Sequence, residues 1–217
     1  MEIAVFGTGV VGQTIGSKLI QLGHEVKMGS RTTNNEKAVE WVKSNSAKSS
    51  QGAYSDAANF GELIFNCTSG QGSIEALRLA GKNNLKGKIL VDISNPLDAS
   101  KGLPPSLSIC NTSSLGEEIQ NEFPELRVVK TLNTMWCGLM VNPSMINDGD
   151  HTVFVSGNDN DAKKQVSDIL KSFGWKEKSI MDLGDITTAC GAEMWLALWL
   201  RIYMSTINGA FNIKIVG

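Results

Sequence analysis

The 217 residues suffice for one sizeable hydrophobic core, and we expect a single domain over residues 1–217. The formal net charge is only -2, without a basic cluster or acidic tail, so nucleic acid is not an expected partner. The four cysteines lie far apart without metal-ligand spacing, which argues against a zinc site or a disulfide framework and favours reduced thiols in a cytoplasmic protein; they are Cys67, Cys110, Cys137 and Cys190.

The chain begins with a predicted strand, a tight turn and a helix. Residues 3–6 form a short apolar run that is typical of a buried parallel strand. Apolar residues then recur at helical spacing from Val11 to Leu22, and Gly23 provides a natural helix end. A second strand is predicted at 25–28. No targeting segment is expected at this end.

The later elements continue the alternation of strands and helices. They are a helix capped by Asn34 or Asn35, strands at 63–67 and 89–93 around a helix near 74–80, a loop at 95–111, a helix at 114–123, strands at 128–130 and 152–156, a helix at 159–173 and a strand at 179–183. This order predicts an α/β fold with a doubly wound, mainly parallel sheet. Residues from about 183 to 217 are expected to form a small C-terminal helical extension. Arg201 interrupts its apolar run, which is shorter than the roughly 20 residues that span a bilayer.

A glycine-rich turn joins the first strand to the first helix. Gly7, Gly9 and Gly12 match the pattern G-x-G-x-x-G in the position that the motif requires. The first glycine permits a tight turn, the second lets the backbone approach a pyrophosphate, and the third lets helix and strand pack closely. Glycines alone can mark a simple turn, but the flanking strand and helix favour a Rossmann-type dinucleotide site. The expected cofactor-binding residues here are Gly7, Thr8, Gly9, Val10, Val11 and Gly12.

The residues after the second strand indicate which dinucleotide binds. NAD sites usually place Asp or Glu about 20 residues after the glycines, where the carboxylate accepts from the ribose 2'-hydroxyl. This chain has Ser30, Arg31 and Thr32 there. A guanidinium and two hydroxyls suit a 2'-phosphate, and no carboxylate repels it. We therefore predict NADP(H) as the cofactor; the alternative is an ordinary solvated arginine.

Segments after three later strands should line the rest of the cleft, because ligands lie beyond the carboxyl ends of parallel strands. Asn95 and Asn133 could bind the carboxamide or a substrate carbonyl, although asparagine is also a common turn residue. The further expected cofactor-binding residues are Cys67, Thr68, Ser69, Asn95 and Pro96.

Familiar acid, base and nucleophile patterns are lacking, so we assign no catalytic residue and no metal site. His151 is expected to be solvated. Cys67 has no basic neighbour in sequence and favours a packed thiol over a nucleophile. The spacing of Trp195, Trp199 and Tyr203 favours core packing or a dimer interface over a ring-stacking cofactor site.

The chain resembles the NADP reductases that depend on the deazaflavin coenzyme F420, over nearly its whole length. The resemblance is carried by the glycine loop, by 22–26 leading into Gly29-Ser30-Arg31, by 128–134, by Leu183-Gly184-Asp185 with Glu193, and by 207–217. The glycine loop and the Gly-Ser-Arg segment are also similar to the reductase domain of membrane metalloreductases. The resemblance implies a homodimer that binds NADP through Thr8, Ser30 and Arg31.

The resemblance also implies a second, flavin-like ring across the nicotinamide. That ring would lie near Asn95 and Pro96, with substrate-binding residues Asn133, Met135 and Leu183. This chain has Thr68-Ser69 where the family often has Pro-Trp or a similar pair, so the hydride acceptor stays open.

Three functions remain open from the sequence. The first is hydride transfer between NADP(H) and a deazaflavin, a flavin-like coenzyme or another small acceptor. The second is a non-catalytic NADP(H) sensor or regulatory module. The third is reduction of a small carbonyl or imine, with Lys130 or Asn133 as a polar catalytic helper.

Overall fold

The structure is a computed structural model that describes residues 1–45 and 47–217. The strands are β1 (Glu2–Phe6), β2 (Glu25–Ser30), β3 (Ser49–Ala53), β4 (Leu63–Asn66), β5 (Ile89–Asp92), β6 (Leu97–Asp98), β7 (Ser106–Leu107), β8 (Arg127–Thr131), β9 (Val153–Gly157) and β10 (Ile180–Gly184). The helices are α1 (Val10–Gln21), α2 (Glu36–Lys43), α3 (Tyr54–Phe60), α4 (Gly70–Ala80), α5 (Lys82–Leu85), α6 (Leu115–Glu122), α7 (Cys137–Val141), α8 (Asn160–Phe173) and α9 (Ala189–Thr206).

Eight strands form one sheet in the order β10-β9-β8-β5-β4-β1-β2-β3. β1 to β5 and β8 run parallel. From β1 the chain passes outward to β2 and β3 and then returns to β4 on the other side of β1. The strand order therefore reverses between β1 and β4, which is where open parallel sheets bind their ligands. The predicted α/β fold with a doubly wound, mainly parallel sheet is confirmed.

The last two strands of the sheet run in the reverse direction. β9 pairs antiparallel with β8, and β10 pairs parallel with β9. β9 and β10 therefore run in the opposite direction to the other six strands, and their last residues, Gly157 and Gly184, lie level with Val129 and Lys130 of β8. Apolar periodicity predicts that a segment is a strand but carries no information about its direction, so the sequence did not place this reversal.

Both faces of the sheet are covered by helices. Side chains of a strand point alternately to the two faces. Accordingly Ile3 and Val5 pack in a cluster with α1, α2, α7 and α8, whereas Ala4 and Phe6 pack in a second cluster with α3, α4 and α6. Because neither face meets water, the central strands are apolar along their length rather than alternating.

Among the described residues, the elements β3, α3, α5 and α7 were not predicted from the sequence. β3 consists of small and polar residues, so it lacks an apolar signal, and it forms the sheet edge by pairing its backbone with β2. α3 follows it directly, and the Asp56 carboxylate accepts from the Ala53 N–H at 2.9 Å. The loop predicted at 95–111 contains the short antiparallel pair of β6 and β7.

The C-terminal helix ends at Thr206, and residues 207–217 form a segment without helix or strand that we call the C-terminal tail. The indole ring of Trp199 stacks between Tyr203, at 5.4 Å between centroids, and Phe211 of the tail, at 5.2 Å. The structure is therefore consistent with the prediction that the aromatic side chains of this helix serve packing. Within the described part of the chain, no helix has both the length and the apolarity needed to cross a membrane.

His151 anchors the tail, so the prediction that it is solvated is wrong. The residue is 4% exposed. The Asn212 side chain donates to His151 Nδ1 at 2.8 Å and to the Thr152 carbonyl at 2.9 Å. The other ring nitrogen bonds the Pro143 carbonyl at 2.8 Å. Asn212 is remote in sequence, which is why inspection of the residues around His151 did not reveal its burial.

Candidate functional site

The glycine turn after β1 is shaped by close backbone contacts. Gly7 has a φ of +106°, a conformation that side chains with a Cβ rarely adopt, and a Cβ there would lie 2.6 Å from the Cys67 carbonyl oxygen. A Cβ on Gly12 would lie 2.1 Å from the Gly7 carbonyl oxygen. A Cβ on Gly9 would meet nothing within 4 Å. The protein backbone thus leaves no room for a side chain at Gly7 or Gly12, whereas the space beside Gly9 is open.

Gly9 is also the N-cap of α1, and no side chain caps this helix end. The first turn carries no acidic residue, and Val10 is 71% exposed. The N–H groups of a helix start bind anions because they lack intrahelical partners and share the positive end of the helix dipole. The open space at Gly9 therefore adjoins a helix end suited to a phosphate.

The Arg31 side chain extends from the end of β2 over the first turn of α4. A Cβ built on Gly72 would lie 3.9 Å from Arg31 Nη2 and 3.3 Å from the Ser69 hydroxyl. Ser30 is 4% exposed, and its hydroxyl donates to the Thr32 carbonyl at 2.6 Å. Arg31 and Thr32 are exposed. The exposed polar groups at this end are therefore Arg31 and Thr32, while Ser30 holds the turn.

A cleft of about 210 Å³ opens beside the glycine turn, between the loops that follow β4 and β5. Its lining residues are Val11, Cys67, Thr68, Ser69, Gly70, Gln71, Ile93, Ser94, Asn95 and Leu97. Val11, Cys67, Thr68, Ser69 and Asn95 were expected there from the sequence. Gly70, Ser94 and Leu97 also belong to the segments expected to line the cleft, whereas Gln71 was not expected because the helix there was predicted to begin only near Ile74.

A larger groove of about 890 Å³ lies between α1, α2 and α7. Polar helix residues such as Gln13, Ser17 and Asn142 line it, and the Trp41 indole N–H donates to the Ser17 hydroxyl at 3.0 Å. None of the predicted site residues borders it. We therefore take the smaller cleft at the reversal point of the sheet as the candidate site.

Asn95 and Asn133 bind each other across the cleft edge. Asn133 Nδ2 donates to Asn95 Oδ1 at 2.9 Å, and Asn95 Nδ2 donates to the Asn133 carbonyl at 2.9 Å. This pair joins the loop after β5 to the loop after β8. Pro96 is buried, and its Cα would lie 2.9 Å from a Cβ on Gly70. In this structure the two asparagines connect the loops after β5 and β8, and Pro96 packs against the start of α4.

The predicted substrate-binding residues are not all brought together. Asn133 lies at the carboxyl edge, and Met135 follows it but is only 5% exposed, packed in the core. Leu183 belongs to β10, the end strand of the sheet, which β9 and β8 separate from β5. The structure therefore separates Leu183 from the cleft.

Sequence reasoning missed Trp136, which is 40% exposed in the segment after β8. Its ring would lie 2.3 Å from a Cβ on Gly138, and Trp136 Cβ would lie 3.5 Å from a Cβ on Gly209 of the tail. The indole thus rests on glycine backbone on two sides while part of it faces solvent. The only hint of this placement in the local sequence is Gly138, two positions after Trp136, because a residue without a side chain leaves room for the indole ring.

Lys130 is buried, so the suggestion that it acts as a catalytic helper is wrong. It is 1% exposed, and its ammonium donates to Asp92 Oδ2 at 2.7 Å, to Glu193 Oε1 at 2.6 Å and to the Ser94 carbonyl at 2.6 Å. Burial lowers its pKa, but the Asp92 and Glu193 carboxylates more than offset this and leave the pKa raised. All three donors of Lys130 are occupied inside the protein.

Cys67 lines the cleft as a partly buried thiol. Burial of the thiol, and then the nearby Asp92 carboxylate, raise its pKa far above the usual range. This agrees with the packed thiol expected from the sequence. Among the described residues, no group of acidic, histidine and cysteine side chains converges as a metal site.

Comparisons with known proteins agree with this geometry. A family model described as NADP oxidoreductase, coenzyme F420-dependent, matches residues 2–96. A crystal structure from Arthrobacter sp. FB24, provisionally assigned as an F420-dependent NADP reductase, is 50% identical, with a TM-score of 0.94 and complete coverage of both chains.

Two curated relatives are more distant. The F420-dependent NADP reductase of Methanocaldococcus jannaschii is 30% identical over 52% of this chain, and the metalloreductase STEAP3 of Rattus norvegicus is 27% identical over 94% of it. The matches span only 50% and 37% of those two proteins. The glycine turn, the cleft at the strand reversal and the full-length similarity at 50% identity together show that this chain belongs to the family of coenzyme F420-dependent NADP oxidoreductases.

Proposed function

We propose that this protein transfers hydride between NADP(H) and a deazaflavin or flavin-like coenzyme. The observation that carries the proposal is the open turn at Gly9, which leads into a cleft that Arg31 overhangs. The descriptions of the Arthrobacter and Methanocaldococcus relatives support the choice of cofactor and of acceptor class.

The residues fit NADP(H) at both phosphate positions. The pyrophosphate would lie against the turn formed by Gly7, Thr8, Gly9, Val10, Val11 and Gly12, where a Cβ at Gly9 would otherwise fill the space. Arg31 and Thr32 would bind the 2'-phosphate, with Ser30 holding their turn. Cys67, Thr68, Ser69, Asn95 and Pro96 would border the nicotinamide half.

The acceptor would approach from the side of the loop after β8. Asn133 fixes this loop to Asn95, and the half-exposed indole of Trp136 offers an apolar ring surface at the same sheet edge. We therefore replace Leu183 with Trp136 in the proposed acceptor site and regard Met135 as a packing residue beneath it.

Bound NADPH supplies a hydride from its nicotinamide ring, so the protein needs to orient two rings more than to supply an acid or a base. The rigid pair of Asn95 and Asn133 suits this task because it fixes the relative position of two loops.

Replacing Arg31 tests the cofactor assignment. Arg31→Ala should weaken NADPH binding by about 10- to 150-fold, as expected for a lost charge-assisted hydrogen bond, and leave NADH binding nearly unchanged. Arg78→Ala is the matched control, since Arg78 lies in the last turn of the same helix that Arg31 overhangs. Fluorescence titration with both nucleotides measures the effect. Equal losses for NADPH and NADH would contradict the 2'-phosphate assignment.

Supplying different acceptors tests the reaction. We expect anaerobic NADPH oxidation, followed by its near-ultraviolet absorbance, with coenzyme F420 or with FMN or FAD. Turnover only with a ferric chelate, carbonyl or imine would reject the ring-shaped acceptor. Tight NADPH binding without turnover of any acceptor would favour the sensor hypothesis instead.

We also propose a homodimer, as the resemblance implies. Along α9 the side chains of Met194, Leu198 and Met204 are 42%, 52% and 46% exposed. Several large exposed apolar side chains on one helix, here beside the exposed Arg201, favour a protein interface. The occupant that we expect is a second copy of this chain.

A further inference from the structure

A buried charged cluster of Asp92, Lys130 and Glu193 lies beneath the loops that border the cleft. We propose that these three act as positioning residues, which set the shape of the nicotinamide end of the cleft and make it depend on the docking of α9. The proposal rests on the proposed function only in taking this cleft as the NADP(H) site.

Asp92 organises two of the cleft-lining loops. Its Oδ1 atom accepts from the Ser94 N–H at 3.2 Å, from the Ser94 hydroxyl at 2.7 Å and from Asn66 Nδ2 at 2.8 Å. Asn66 Oδ1 in turn accepts from the Thr68 hydroxyl at 2.7 Å and from the Thr68 N–H at 3.3 Å. One carboxylate thus fixes Thr68 after β4 and Ser94 after β5, and both line the cleft.

Lys130 binds the backbone carbonyl of Ser94 as well as the Asp92 carboxylate. Its ammonium donates to the Ser94 carbonyl at 2.6 Å and to Asp92 Oδ2 at 2.7 Å. The backbone N–H and the carbonyl of Ser94 are therefore both bound by charged groups. Bonds to charged groups are stronger than neutral ones, so this residue has little freedom to move.

Glu193 brings the C-terminal helix into the same cluster. Its Oε1 atom lies 2.6 Å from Lys130 Nζ and accepts from the Gly116 N–H at 3.0 Å, while its Oε2 atom accepts from the Leu115 N–H at 2.8 Å. Two carboxylates and one ammonium leave an excess negative charge, which the start of α6 stabilises through these N–H groups. Movement of α9 would leave Lys130 and both N–H groups without this partner.

A loss of stability cannot by itself distinguish positioning from packing, because breaking any buried ion pair destabilises a fold. Lys163 provides a matched control. It is 7% exposed and binds the Asp182 carboxylate at 2.8 Å and the Gly184 carbonyl at 3.1 Å. Like Lys130 it binds a carboxylate and a backbone carbonyl, although the Asp182 side chain is 55% exposed, and its partners lie on β10, the end strand of the sheet, three strands from β5.

The experiment compares Lys130→Met with Lys163→Met, both assayed below their melting temperatures. Lys130→Met should weaken NADPH binding by at least about ten-fold, the effect of losing one charged hydrogen bond, and leave adenosine 2',5'-bisphosphate binding unchanged. That probe lacks the nicotinamide half. Lys163→Met should change neither affinity. Equal NADPH affinities in the two folded variants would overturn the proposal.

If Lys130→Met does not fold, the proposal can still be tested on the wild-type protein. In hydrogen–deuterium exchange of the wild-type protein, NADPH should slow exchange at residues 189–196, which carry Glu193, and leave β10 unchanged. Unaltered exchange at 189–196 would overturn the proposal. If the wild-type protein failed to bind NADPH, the proposed function would fall and this inference with it, whereas binding without coupling contradicts this inference alone.

Discussion

Gly9 and Gly12 stand in the same turn but are glycine for different reasons. The space at Gly12 is filled by the protein's own backbone, whereas the space at Gly9 is open. Gly9 has φ -76° and ψ 179°, which alanine adopts without strain. Nothing in the protein itself requires a glycine at position 9, and under the proposed function the reason is a phosphate that approaches the backbone.

Alanine substitutions separate these two reasons. Gly9→Ala should retain the wild-type melting temperature but lose at least about ten-fold in NADPH affinity, because the new methyl group occupies the phosphate approach. Gly12→Ala should destabilise the fold by about 1–3 kcal/mol through overpacking. Thermal melts and nucleotide titrations of both variants measure this. Wild-type NADPH affinity in Gly9→Ala would show that the phosphates do not approach there.

The raised pKa of Cys67 predicts its chemical reactivity. Because the thiolate is the reactive form and burial raises the thiol pKa, Cys67 should resist iodoacetamide at neutral and mildly alkaline pH. Its reactivity should rise only as the pH moves above the usual thiol range. Cys110 is exposed and serves as the internal control. Peptide mass spectrometry of the native protein measures both; rapid labelling of Cys67 in the folded state would contradict its burial.

At the scale of single residues, the position of Arg31 could be predicted from the sequence, whereas the burial of Lys130 could not. The position of Arg31 follows from its spacing after the glycine turn, because parallel strands bring their carboxyl ends to one edge. Lys130 also ends near that edge, yet it turns inward toward carboxylates supplied by β5 and α9. No residue near it in sequence signals these partners, so its burial could not be predicted.

At the scale of elements, the strongly apolar strands and amphipathic helices were predictable from their periodicity. β3 was not, since its stability comes from backbone pairing at an edge rather than from apolar side chains. The reversal of β9 was not predictable either, because both directions satisfy the same burial pattern. Leu183 lies away from the cleft because β10 is the end strand of the sheet, three strands from β5, and this strand order could not be deduced from the sequence.

The tail is an element whose attachment can be tested. Asn212→Ala should lower the free energy of unfolding by about 1–3 kcal/mol, because it leaves His151 Nδ1 and the Thr152 carbonyl without their buried donor. Lys214→Ala, which removes an exposed ion pair with Asp150, should cost only about 0–1 kcal/mol. Urea denaturation compares them. Equal small effects would show that the tail is not held through His151.

At the scale of the whole molecule, the exposed apolar side chains of α9 give a test of the proposed homodimer. Leu198→Glu should shift a homodimer toward monomer, because an unpaired carboxylate at an apolar interface is costly to desolvate. Leu79→Glu is the control, since Leu79 is similarly exposed, at 48%, but lies on α4. Light scattering after size exclusion measures the mass. A dimer unaffected by Leu198→Glu would place the interface elsewhere.

The buried charged cluster restricts how this molecule can be recombined with its relatives. The family match covers residues 2–96, so Asp92 lies inside it, while Lys130 and Glu193 lie beyond. A chimera joined near that boundary would carry Asp92 from one parent and its two partners from the other. Unless the transplanted segment supplies a lysine and a glutamate in the same places, a buried carboxylate is left without its counter-charge. Acceptor preference can therefore be exchanged between relatives only together with the residues that neutralise Asp92.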